Sequence, residues 1–161
     1  MNAFDDARWR PDALDALVDA VLAKSNRDFH GFGIIVADDA ARLPVFQLPA
    51  VRHRARGEPG PDDELLDDRL ARYACASTSL HDGFHVLSPD LHLRIASCYV
   101  AAPVPPREWE PPCMRGMEDR IGSRWITGLF ASLLPGVVCV LVVNSQRVGS
   151  RFVGGEWAGH A

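Results

Sequence analysis

Apolar positions recur along the chain at two spacings, one typical of helices and one typical of buried strands. Helical spacing predicts α-helices over 12–24, 63–76 and 117–133. Short apolar runs bounded by Pro, Gly or Asp predict strands over 31–37, 45–48, 85–87, 91–102, 137–143 and 149–153. Helices that alternate with almost wholly apolar strands are typical of a sheet covered by helices. The predicted fold class is therefore α/β, with a single mixed β-sheet flanked by helices.

Polar and proline-rich stretches divide the chain into segments. Basic residues with Gly and Pro over 51–63 predict a surface loop, and five of the 12 prolines lie in 103–112, which predicts another. We expect a helical N-terminal segment over 1–30, a main domain over 31–155 and a C-terminal tail over 156–161.

Composition narrows the class of protein. The 161 residues suffice for one domain, and 47% hydrophobic with 24% charged residues argues against global disorder. A net charge of −4 argues against non-specific DNA binding, which normally uses a basic face. The longest apolar run, 137–143, is too short to span a membrane, and the first six residues lack the basic start of a signal peptide. The four cysteines form no Cys-x-x-Cys pair. We therefore expect a cytoplasmic protein that binds neither DNA nor membranes.

The first of three polar segments that suit ligand chemistry spans 77–83. It ends in Asp82 and Gly83 directly before a predicted strand. Glycine lets a ligand approach the backbone closely, and a carboxylate suits Mg²⁺ or Mn²⁺. His81 flanks the same loop. A plain turn has the same Asp-Gly signature and is the alternative interpretation.

The second segment, 122–128, lies near the start of a predicted helix. Its backbone N–H groups, the hydroxyls of Ser123 and Thr127, and the guanidinium of Arg124 form a plausible anion site. The alternative is an ordinary helix capped by Ser123, with Arg124 in solvent.

The third segment, 142–149, places Ser145 and Gln146 directly after a buried strand. Ligands of open α/β sheets collect outside the carboxyl ends of strands, so these side chains are well placed. A hairpin turn explains them equally well.

In this order the three segments resemble the diadenylate cyclase family, which condenses two ATP molecules into cyclic di-AMP. The family motif Leu-His-Asp-Gly-Ala corresponds to 80–84, Gly-Thr-Arg-His-Arg corresponds to 122–126, and the Ser-Gln-Arg turn of one branch corresponds to 145–147. The resemblance implies the fold of that family and, for an active member, a face-to-face dimer with one ATP on each subunit. It also implies that Asp82 assists the metal, Mg²⁺ or Mn²⁺, and the attacking 3′-hydroxyl.

Three residues depart from the family motifs. Phe84 replaces Ala, and it would act as a stacking platform or as a plug. Trp125 and Ile126 replace a His and an Arg that grip the terminal phosphates, so that only Arg124 remains of this triplet. Removing one such group from a phosphoryl-transfer site costs on the order of 10³-fold in rate. Trp125 either stacks on a base or belongs to the core. We therefore expect binding to be retained and cyclisation to be poor.

The resulting hypothesis is a nucleotide- or cyclic-dinucleotide-binding sensor domain whose catalytic motif is eroded. Its expected binding residues come from all three segments: Asp82, Gly83, Phe84, Ser123, Arg124, Trp125, Thr127, Ser145 and Gln146. Because the chain is too short to hold an effector domain, we expect a protein partner or a homo-oligomer. The alternatives are an active diadenylate cyclase that uses Asp82, and a partner-binding domain without a ligand.

Overall fold

The computed structural model of the chain describes residues 9–48, 64–78, 80–106, 108–109, 111, 114 and 121–159. Within them, seven strands form one sheet in the order β2-β4-β3-β1-β5-β6-β7. The strands are β1 (Phe32–Ala37), β2 (Val45–Gln47), β3 (Phe84–Leu87), β4 (Leu93–Val100), β5 (Val137–Val143), β6 (Gly149–Val153) and β7 (Glu156–Gly159). The described α-helices are α1 (Pro11–Lys24), α2 (Leu66–Tyr73) and α3 (Ser123–Ala131). This architecture confirms the predicted α/β class with a single mixed sheet.

Several element boundaries differ from the prediction. Residues 156–159, which we expected in a tail, form β7 and pair with β6. The strand predicted over 91–102 is shorter, because Leu91 lies in a turn with a positive φ of 60°. Parts of the predicted segments lie outside the described residues, namely 1–8, the loop over 51–63, the helix start over 117–120 and the last residues 160–161. None of the described helices is both long and apolar enough to cross a bilayer.

The central strand β1 pairs in opposite senses on its two sides. It runs parallel to β3 and antiparallel to β5. All six of its residues are buried, which explains why its sequence shows no alternation of polar and apolar positions. Its side chains alternate between two cores. Phe32, Ile34 and Val36 pack with α1 and α2, whereas Ile35 packs with α3. The sheet is therefore covered on both faces.

The helices on the two faces of the sheet are held by different interactions. Pro11 occupies the first turn of α1, where its missing N–H costs nothing. At the other end of α1, Lys24 lies 2.9 Å from both Asp67 and Asp68 of α2. On the opposite face, Gly128 brings α3 close to the sheet, because a Cβ there would lie 2.8 Å from Val142 Cγ2.

A bulge in β4 brings a buried histidine into the backbone pairing. The register between β3 and β4 shifts near Ser97, which has a positive φ of 45°. The Ser97 N–H donates a hydrogen bond of 3.1 Å to His85 Nδ1 in place of a strand carbonyl. His85 is fully buried and stacks on Tyr73 at a centroid distance of 5.4 Å. Burial, and secondarily the charge of Arg124, lowers the pKa of His85 to about 4, so the ring is a neutral acceptor at neutral pH.

We expect His85 to make the fold sensitive to acid. Its pKa of about 4 in the folded chain lies below the ordinary 6.5, so between these values the unfolded chain binds a proton that the folded chain does not. The free energy of unfolding then falls as the pH is lowered, by roughly 2 kcal/mol from this group between pH 7 and 4.5. Urea unfolding at both pH values measures the loss.

The matched variant His85→Asn keeps an acceptor for the Ser97 N–H but does not titrate. It should lose less stability than the parent chain over the same pH range. An equal loss in both proteins would contradict the assignment.

Candidate functional site

The three polar segments meet around one cavity of about 570 Å³. It lies at the sheet edge where β1 and β3 begin and where β4 and β5 end. Its volume falls in the range of roughly 300–1,000 Å³ typical of small-molecule sites. Seven of the nine residues expected from the sequence line it: Asp82, Phe84, Ser123, Arg124, Trp125, Thr127 and Ser145.

Gly83 and Gln146, the other two expected residues, do not line the cavity. Gly83 is buried against β4, where a Cβ would lie 2.6 Å from Ser97 Oγ. Gln146 is exposed in the turn after β5, where its N–H donates 2.9 Å to Asn144 Oδ1. Gly83 allows the loop before β3 to pack closely on β4, and Gln146 belongs to the turn after β5. Both segments border the cavity.

The cavity also has walls that the sequence motifs did not reveal. Five lining residues lie outside the three segments, namely His30, Cys98, Tyr99, Val100 and Ser150. Four more belong to the second and third segments but were not expected to bind, namely Gly122, Val142, Asn144 and Val148. The β4 and β6 members come from segments that we treated only as strands. These residues reach the cavity because of the strand order of the sheet, which the spacing of residues along the chain does not predict.

Arg124 joins α3 to the loop before β3. Its Nη2 donates a hydrogen bond of 2.6 Å to the His81 carbonyl oxygen. The guanidinium passes close to Gly31, where a Cβ would lie 3.0 Å from Nη1 and 2.4 Å from the Val143 oxygen. Gly31 has a φ of 102°, so glycine suits this position both sterically and conformationally. Burial lowers the pKa of Arg124, and the Asp82 carboxylate opposes that shift.

Asp82 and His81 form a polar pair at the cavity mouth. His81 Nε2 lies 3.0 Å from Asp82 Oδ1, and His81 Nδ1 contacts the Thr78 carbonyl oxygen. Both ring nitrogens thus face oxygen atoms. The ring also meets His30 edge-on at a centroid distance of 4.7 Å. The Asp82 side chain is 69% exposed and can reach an incoming ligand.

The two aromatic residues of the motifs are packed into the fold. Phe84 is only 4% exposed, and its ring fills the space above Gly33, where a Cβ would lie 2.5 Å from Cδ1. Trp125 is 8% exposed and meets Phe152 edge-on at 4.8 Å. Its indole N–H donates 3.2 Å to Ser150 Oγ. Both rings line the cavity, but most of their surface belongs to the core.

The start of α3 supplies the polar groups best suited to an anion. Gly122 is the N-cap, not Ser123 as one interpretation of the sequence had it, and glycine has no side chain with which to cap the helix. The backbone N–H groups of the first turn, which have no partner within the helix itself, lie beside the Ser123 and Thr127 hydroxyls. Within the described residues, no cluster of three or more His, Cys, Asp or Glu side chains could hold a metal ion. Such hydroxyl and backbone N–H donors can bind an anion such as phosphate.

Comparison with known proteins supports the fold. No family model and no curated protein matches the sequence. The hypothetical membrane spanning protein from Bacillus cereus is a similar solved structure, with a TM-score of 0.63 and 15% identity, covering 96% of this chain and 66% of that chain. DacA from Staphylococcus aureus, solved as an N166C/T172C double mutant, has a TM-score of 0.54 and 14% identity, with 92% and 88% covered. The chain thus spans just under two thirds of the first protein's length. At these identities the likeness shows the fold alone, which is similar to that of DacA.

The packing of Phe84 on Gly33 can be tested by a double-mutant cycle. Gly33→Ala should cost roughly 1–3 kcal/mol of unfolding free energy, because its methyl group and the ring compete for one space. In a Phe84→Ala background the same change should cost much less. Urea unfolding of the four proteins measures the coupling. An equal cost in both backgrounds would contradict this packing.

Proposed function

We propose that this domain binds a nucleotide or cyclic dinucleotide in the cavity at the start of α3 and acts as a sensor. The observation that carries the proposal is the convergence of Arg124, Asp82 and the α3 start on one cavity. These groups come from segments about 40 residues apart in the sequence, and they provide a cation, hydroxyls and backbone donors at one place.

Arg124 and the first turn of α3 would hold the phosphate. A guanidinium has five N–H donors in a fixed fork, and the bond to His81 uses one of them. The remaining guanidinium donors, the Ser123 and Thr127 hydroxyls and the N–H groups of the first turn of α3 would surround an anion. Burial strengthens such contacts because the local dielectric constant is lower than that of water.

Other lining residues would take the base and any accompanying metal. Phe84, Trp125 and Tyr99 line the cavity with aromatic side chains, and Ser145 lines it from the turn after β5. Asp82 would give one oxygen to a Mg²⁺ or Mn²⁺ that arrives with the nucleotide, since such ions take most of their remaining ligands from phosphate and water.

Two side chains favour sensing over catalysis. Trp125 and Ile126 occupy the places of the His and Arg in the diadenylate cyclase motif, and both pack against the core around α3. The indole N–H of Trp125 is already bonded to Ser150. Neither residue supplies a cation to a reacting phosphate. The signal would pass to a protein partner or through a homo-oligomer.

Calorimetric titration with ATP, ADP, AMP and cyclic di-AMP, with and without Mg²⁺, tests the proposal. At least one ligand should bind, and Arg124→Ala should weaken its binding roughly 10- to 100-fold, because charge-assisted hydrogen bonds are lost. Arg124→Lys keeps the charge without the planar fork and should give an intermediate affinity. The control Arg42→Ala changes an exposed arginine beyond the far end of β1 and should bind as the parent chain does.

An activity assay and the titration itself each have an outcome that would reject the sensor. Incubation with ATP and Mn²⁺ or Mg²⁺ should yield no cyclic dinucleotide. If product accumulates and Asp82→Asn abolishes it, the domain is a diadenylate cyclase. If no nucleotide produces heat, the alternative of a partner-binding domain is favoured.

A further inference from the structure

The loop that carries Asp82 is bonded to a strained residue of β4, Ser97. Ser97 is fully buried and has a φ of 45°, in the left-handed region that non-glycine residues rarely adopt. Such conformations persist where surrounding contacts fix them, and they cluster at functional sites. We therefore expect contacts of Ser97, other than strand pairing, to stabilise this backbone conformation.

The side chain and backbone of Ser97 make two such contacts. The hydroxyl donates 2.9 Å to the Leu80 carbonyl oxygen, and the N–H donates 3.1 Å to His85 Nδ1. Gly83 packs directly on the bulge, since a Cβ there would lie 2.8 Å from the Cys98 nitrogen as well as against the hydroxyl. Bulges beside sites commonly re-aim the neighbouring chain.

Arg124 holds the next carbonyl of the same loop from the other side. Its Nη2 bonds the His81 oxygen, one residue after the carbonyl that Ser97 bonds. The carbonyl groups of Leu80 and His81 are thus hydrogen-bonded to β4 and to α3, respectively. This double attachment fixes the backbone that presents Asp82 to the cavity.

We propose that Ser97 is a positioning residue, which sets the loop 80–83 for ligand binding through its hydroxyl and its bulged backbone. The inference rests on the proposed nucleotide site. Ser97 does not line the cavity, so any effect on affinity must pass through the loop.

Two substitutions separate positioning from stability. Ser97→Ala removes the hydroxyl but keeps a non-glycine residue in the strained left-handed backbone conformation. Ser97→Gly removes both the hydroxyl and this strain. We expect Ser97→Gly to unfold at a higher urea concentration than Ser97→Ala. Both should nevertheless bind the parent chain's nucleotide roughly 5- to 10-fold more weakly, as the loss of one hydrogen bond predicts. If affinity recovers with stability in Ser97→Gly, the positioning role is rejected.

A buried serine elsewhere gives the matched control. Ser132 is 4% exposed, donates to the Leu129 oxygen at 2.6 Å and accepts from the Gly155 N–H at 2.9 Å. Ser132→Ala should therefore lower the urea midpoint and leave the affinity unchanged. A loss of affinity in this control equal to that of Ser97→Ala would show that destabilisation alone weakens binding, and would overturn the proposal.

A measurement without ligand keeps this proposal separate from the nucleotide site. Backbone ¹⁵N order parameters for residues 80–83 should fall in Ser97→Gly relative to the parent chain, because the loop loses its attachment to β4. If the parent chain binds no nucleotide and the order parameters still fall, the proposed function fails and positioning of the loop stands. Unchanged order parameters overturn the positioning role, whatever the titrations show.

Discussion

The pairing of β1 determines where the cavity forms in this fold. Its parallel neighbour β3 and its antiparallel neighbour β5 bring the start of one strand and the end of the other to the same sheet edge. The loop before β3 and the turn after β5 therefore border one cavity. The cavity lies at the carboxyl ends of β4 and β5, where ligands of open α/β sheets commonly bind, and at the amino ends of β1 and β3.

Two arginines of the sequence motifs have different roles in the structure. Arg124 joins α3 to the loop before β3 and faces the cavity. Arg147 turns away and bonds three carbonyl oxygens at the end of α1, those of Leu22, Ser25 and Asn26, at 2.8, 3.2 and 3.1 Å. A guanidinium at a helix C-terminus complements the helix dipole and its unpaired carbonyl groups. Arg147 therefore anchors the β5–β6 turn beside the cavity.

Two aromatic side chains of the motif segments are packed into the core. Phe84 fills the space above Gly33, and Trp125 packs on Phe152 while bonding Ser150. Large buried rings contribute strongly to core stability. Phe84 and Trp125 therefore contribute to the stability of the fold as well as to the cavity wall.

The sequence alone determined the layers and the positions of the polar segments, because apolar spacing reports directly which residues each element buries. It placed Asp82, Arg124 and Ser145 in loops or at helix starts, and the structure brings all three to one cavity. The packing of Phe84 and Trp125, the bulge at Ser97, and the cavity walls from β4 and β6 were decided only in three dimensions. Strand order and register depend on contacts between residues far apart in the chain, which local patterns do not encode. For the same reason residues 156–159 were expected in a tail, although β6 gives them a strand partner.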